Sequence, residues 1–138
     1  MPRSPWLLSQ LTWSQVQRER YPVAVLPWGA TEAHNLHLPY GTDVHETEAV
    51  AAEAASRAWE RGARLVVLPA VPFGANAQQL DIPLTIDMSP STQAALLADV
   101  ARSLEPHSPE KLVVLNGHGG NDFRAMIREL QPRTSLFL

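Results

Sequence analysis

The chain has no cysteine, which excludes disulfides and thiolate metal sites and fits a reducing, cytoplasmic setting. Basic charge is also scarce: 11 Lys and Arg stand against 14 Asp and Glu, for a formal net charge of −3. That balance offers no cationic surface to nucleic acid or to an anionic membrane. No apolar run reaches membrane-spanning length, and the amino terminus lacks the apolar stretch of a secretory leader. Internal repeats and low-complexity tracts are missing as well. These absences leave one ordinary globular domain over residues 1–138, 45% hydrophobic and long enough to bury a core.

The densest polar stretch spans 28–43 and reads W-G-A-T-E-A-H-N-L-H-L-P-Y-G-T-D. It follows the apolar run Val23, Ala24, Val25, Leu26, which has the signature of a buried strand. Glu32, His34, His37 and Asp43 are all candidate metal ligands. In an extended segment Glu32 and His34 aim at one spot, and Asp43 returns after a turn containing Pro39 and Gly41. A divalent ion such as Zn²⁺ or Mn²⁺ suits mixed nitrogen and oxygen donors. The competing reading is a solvated loop in which Asp43 caps the next helix, with Glu46 completing an Asp-x-x-Glu capping pattern.

Elsewhere strands alternate with helices. Residues 1–11 read as a loosely structured lead-in, and Thr12 with Gln15 forms a capping box that predicts a helix over 13–20. A longer helix is predicted over 44–61, with Val50, Ala54 and Ala58 as one apolar row and Ala51, Ala55 and Trp59 beside it. Gly62 stands where a helix-terminating glycine belongs. Strands are predicted over 64–69, 111–116 and 134–138. Ser89 and Pro90 open a helix whose core stripe is Leu96, Val100 and Leu104, and a last helix carries Phe123, Met126, Ile127 and Leu130. Residues 70–88 show no period and read as a long structured loop of the kind that lines sites. The alternation implies an α/β fold with a mainly parallel sheet.

In such sheets ligands bind beyond the carboxyl ends of the strands. The 32–43 stretch, the 73–85 loop and the segment Asn116-Gly117-His118-Gly119-Gly120-Asn121 each follow a strand, so all three converge on one rim. The glycine-rich segment has two readings. It can cradle a phosphate or nucleotide with backbone N–H groups, although it lacks the lysine of a P-loop. Alternatively His118, flanked by glycines, is a metal ligand. Trp28 either walls the pocket or belongs to the core. Asp122 either substitutes as a carboxylate ligand or favours the helix amino terminus.

The blocks G-x-x-E-x-H-x-x-H-L-P-x-x-T-D over 29–43 and N-G-H-G-G-N over 116–121 resemble those of the creatininase (creatinine amidohydrolase) family. The resemblance implies a three-layer α/β/α sandwich and a two-metal centre, Zn²⁺ or Mn²⁺, that hydrolyses a non-peptide or cyclic amide C–N bond of a small molecule. By resemblance Glu32 and His118 hold one ion, His34 holds the other and Asp43 bridges them. His37, Trp28, Gly119, Gly120 and Asn121 are then expected behind the ligands or against substrate. Relatives continue well past the position of Leu138, and that absent part would supply a further glutamate ligand and the acid/base groups. The expectation is therefore a shortened relative, either active, or impaired and retaining metal, with an open sheet edge that favours a homo-oligomer.

Overall fold

The computed structural model describes residues 4–138. Part of the predicted lead-in, residues 1–3, lies outside the described residues. The remainder is not loose: Trp6 packs against Trp59 at 6.0 Å, and Leu7 forms a parallel bridge to Val67. A 3₁₀ turn at Leu8–Gln10 then leads into α1, Trp13–Val16. The capping box at Thr12 and Gln15 forms as the pattern requires, yet the helix ends after one turn rather than at residue 20.

Three parallel strands make the sheet, in the order β2-β1-β3: β1 is Val23–Trp28, β2 is Leu65–Val67 and β3 is Lys111–Asn116. Val23 of β1 sits opposite Leu65 on one side and Lys111 on the other. Pro27 is tolerated in this central strand because its backbone faces the β2 side beyond the end of β2, where its carbonyl accepts from Val71 N. The ladder to β3 therefore loses nothing.

Helices cover both faces. α2, Thr42–Glu60, lays Ala51 and Ala55 against Val25, Val67 and Leu115. The opposite face buries Ala24, Leu26, Trp28 and Leu112 beneath α3, Pro90–Leu104, and α4, Phe123–Leu130. Trp28 meets Phe123 with ring centroids 4.8 Å apart. This is the expected α/β/α layering.

Three expectations are met only in part. On α2 the expected row of Ala51 and Ala55 is buried together with Asp43 and Thr47, whereas Val50 is half exposed. On α3 the fully buried row is Gln93, Leu97 and Ala101, and the predicted stripe of Leu96, Val100 and Leu104 packs half-buried against the same core beside it. The predicted strand over 134–138 shrinks to one parallel bridge, Lys111 to Phe137, because the N–H groups of Ser135, Leu136 and Leu138 go to the side chains of Glu105, Thr134 and Gln131 instead of to a strand.

Candidate metal centre

Every candidate ligand lies past the carboxyl end of the sheet, where the strand C-termini open a rim. Glu32 and His34 occupy the loop after β1, Asp43 the first turn of α2, and His118 the loop after β3. α2 begins at Thr42 with Gly41 as N-cap and no side-chain cap, so Asp43 is not spent on capping. Its carboxylate turns inward instead.

The geometry is tight. Asp43 places Oδ1 2.8 Å from His34 Nε2 and Oδ2 2.9 Å from His118 Nδ1. Glu32 Oε1 lies 3.0 Å from the same His118 nitrogen. Glu32, Asp43 and His118 are all buried, and each offers a ligand atom within 4.8 Å of the others.

Each imidazole has its remaining nitrogen on a backbone carbonyl: His34 Nδ1 on Glu32 O at 3.1 Å, and His118 Nε2 on Ala75 O at 3.0 Å. A carbonyl only accepts, so those nitrogens carry the protons. In such a tautomer each ring turns its lone pair toward carboxylate oxygens. Two acceptors about 2.8–3.0 Å apart hold together only with a cation or a proton between them. The donor set is nitrogen and oxygen throughout, which fits Zn²⁺ or Mn²⁺.

Burial opposes charge on His34 and is the largest single influence on it. The Glu32 carbonyl, the Asp43 hydrogen bond and the two carboxylate charges together outweigh it, and the pKa is raised above the ordinary 6.5. Glu32 is itself steadied from outside the rim motifs, because Gln79 Nε2 donates to Glu32 Oε2 at 2.9 Å. No hydrophobic period marks Gln79, and nothing in the sequence separates it from its neighbour Gln78.

The residues expected around the ligands divide into three groups. Asn121 is buried behind His118, with its Oδ1 accepting from Ala75 N and Gln93 Nε2. Gly120 abuts the imidazole, and a Cβ there would lie 2.6 Å from His118 Nε2, whereas Gly119 faces open space. Trp28 belongs to the core, fully buried, with Nε1 donating to Phe73 O at 2.9 Å. His37 is exposed and makes no side-chain hydrogen bond among the described residues. Asp122 caps α4 by accepting from Arg124 N.

Of the N–H groups in the glycine-rich segment, Gly117 donates to Trp28 O, His118 to Asn116 Oδ1 and Asn121 to His118 O, so three of the donors that a phosphate cradle would draw on are already engaged. An open trough of about 360 Å³ between α2 and β3 is lined by Thr47, Asn116 and His118.

The parallel sheet with Glu32, Asp43 and His118 gathered at its rim defines an α/β protein with a candidate metal site. A family model described as creatinine amidohydrolase matches residues 9–138, and the chain belongs to the creatininase family. It is 34% identical over 101 residues to the mycofactocin precursor peptide peptidase of Mycolicibacterium smegmatis, covering 72% of this chain and 40% of that protein. A candidate creatinine amidohydrolase from Bacteroides fragilis superposes with a TM-score of 0.92 at 45% identity, over 99% of this chain and 55% of the other. A creatininase described as the Mn form matches at TM-score 0.75 and 27% identity, covering 93% of this chain and 53% of its own. A creatininase variant described as the Zn-Zn type has the same score and identity, at 92% and 53% coverage. The chain spans about half the length of these relatives.

Proposed function

We propose that this chain forms the metal-holding part of an amidohydrolase that cleaves a non-peptide or cyclic amide C–N bond with a metal-activated water. Glu32 and His118 would hold one divalent ion and His34 a second, with Asp43 shared between them. Two such ions, when bound, supply Lewis acidity toward a carbonyl and lower the pKa of a bound water. The chain's own residues do the preparation. The carbonyls of Glu32 and Ala75 fix both imidazole tautomers, and Gln79 holds the outer oxygen of Glu32. Burial of Glu32, Asp43 and His118 keeps bulk water from competing for the ligand atoms.

The observation that carries this reading is the double approach to His118 Nδ1, with Glu32 Oε1 at 3.0 Å and Asp43 Oδ2 at 2.9 Å. The experiment is metal analysis of the purified chain, joined to amide hydrolysis assays with and without added Zn²⁺ or Mn²⁺. Bound metal together with metal-dependent turnover supports the proposal, whereas a chain that binds no divalent ion abolishes it.

A second reading, a metal-binding relative without turnover, draws on one further feature. Among the described residues, the only side chain outside the ligand set that hydrogen-bonds to a ligand side chain is Gln79, which carries no transferable proton. Metal bound without hydrolysis selects this alternative. A homo-oligomer in the cytoplasm is part of the proposal too. The absence of cysteine supports the compartment, and Val113 and Phe137 at the β3 edge, 47% and 69% exposed, support self-association. Sedimentation of the purified chain as a monomer at high concentration would remove the oligomer. No helix among the described residues is long and apolar enough to cross a membrane.

A further inference from the structure

We propose that Gln93, on the core-facing row of α3, is a positioning residue for His118. Through Asn121 and the backbone of Ala75 it determines which imidazole nitrogen faces Glu32 and Asp43. Gln93 is 0% exposed and sits in line with Leu97 and Ala101, where packing alone would select a hydrocarbon.

The chain of contacts is continuous. Gln93 Nε2 donates to Asn121 Oδ1 at 2.7 Å, and Ala75 N donates to the same oxygen at 3.0 Å. Asn121 Nδ2 donates in turn to Asn116 Oδ1 at 3.0 Å. An asparagine amide has two orientations related by a half-turn. Reversing this one would set an NH₂ group against two donors and an oxygen against the Asn116 oxygen. Gln93 thus selects the orientation that holds Ala75. The Ala75 carbonyl then accepts from His118 Nε2 at 3.0 Å, which leaves Nδ1, beside the carboxylates, to ligate a cation. Asn116 closes the loop by bonding both the N–H and the carbonyl of His118.

A second observation separates this role from simple packing. Gln93 Oε1 is buried with no hydrogen-bond partner among the described residues. An orphaned oxygen costs stability that leucine or methionine would not. What the position gains from glutamine is therefore the NH₂ group directed at Asn121. A polar group kept at the expense of stability beside a site has the signature of a functional constraint.

The test compares the parent with Gln93→Leu and Gln93→Met, the latter keeping the length of glutamine in case the branched side chain perturbs the fold. In the metal-free chain, ¹⁵N spectra of the histidine rings should show a slowly exchanging proton on His118 Nε2, held on the Ala75 carbonyl. Both variants should exchange that proton faster and bind Zn²⁺ about 10–100-fold more weakly, with a melting temperature that is unchanged or higher. Parent-like exchange and affinity in either folded variant would overturn the proposal. So would a lowered melting temperature with unchanged exchange, since that marks a structural role alone. Only the affinity measurement rests on the metal-centre reading. Should His118→Ala leave Zn²⁺ binding intact, that reading fails, and exchange of the His118 ring proton in the metal-free chain still decides the role of Gln93.

Discussion

His118 Nδ1 and Asp43 Oδ2 lie 2.9 Å apart although 75 positions separate them in the chain. Asp43 spans the centre, because its other oxygen reaches His34 Nε2 at 2.8 Å. Replacing this carboxylate by an amide separates its two contributions. In Asp43→Asn the NH₂ group donates to one imidazole lone pair without any cation, and one negative charge disappears. We expect Zn²⁺ affinity to fall by about 100-fold or more, while the metal-free melting temperature holds or rises. Calorimetric titration and thermal unfolding read the two effects, and unchanged affinity would refute the bridging role.

The His118 ring is also clamped by backbone. A Cβ on Gly74 would lie 2.7 Å from His118 Cδ2 and 2.9 Å from Asn121 Oδ1, and one on Gly120 would strike the Ala75 carbonyl. Gly74→Ala and Gly120→Ala should each displace the imidazole and cost about 1–3 kcal/mol of stability. Gly119→Ala is the control, since nothing lies within 4 Å of its added Cβ. Its expected change is within about 0.5 kcal/mol. Denaturant unfolding of the three variants checks the order, and equal losses at 119 and 120 would contradict the clamp.

Protons compete with metal at His34, and the direction follows from its raised pKa. The folded value lies above the ordinary 6.5, so the proton is bound more tightly in the folded chain than in the unfolded one. In the metal-free chain this stabilisation is fully present below about 6.5 and is lost as pH rises through the folded value. Metal needs the deprotonated nitrogen and shows the opposite trend. Zn²⁺ affinity should therefore decline on acidification from a pH above 6.5, with protons released on binding. Titrations in buffers of different ionisation enthalpy measure that release. Affinity that stays flat down to pH 6 would exclude His34 from the ligand set.

Much of the fold could be read locally. β3 spans 111–116 as its apolar run predicts, and α2 departs by only two residues at its start and one at its end, because strand runs and helical periods are written in adjacent residues. The choice of buried face was not local. On α2 both rows near Ala51 are apolar, and the row that turns inward is the one extending through Thr47 to Asp43. A ligand role for Asp43 would itself have fixed that face, since the four positions recur at intervals of four. Gln79 and Gln93 were illegible for another reason. Each is polar, each bonds a partner 47 or 28 positions away, and no hydrophobic pattern registers such a pairing. The rim motifs of the two loops were legible because their ligands cluster within short segments. The support behind them was not, because it arrives from an aperiodic loop at Gln79 and from the core row of α3 at Gln93.

Gln79 gives that support a direct test. Its Nε2 is the side-chain donor on Glu32 Oε2, at 2.9 Å, and Glu32 is 8% exposed. Without the bond, the carboxylate loses the partner that keeps Oε1 aimed at His118 Nδ1. Gln79→Leu should lower divalent-metal affinity about 10–100-fold and destabilise the metal-free chain by about 1 kcal/mol. Gln78→Leu serves as the comparison, because Gln78 is exposed and makes no side-chain hydrogen bond among the described residues. Zn²⁺ and Mn²⁺ titrations of both variants separate orientation of Glu32 from a general effect on the 3₁₀ turn at Ala77–Gln79. A general effect would weaken both variants equally, whereas orientation weakens only the one that touches Glu32.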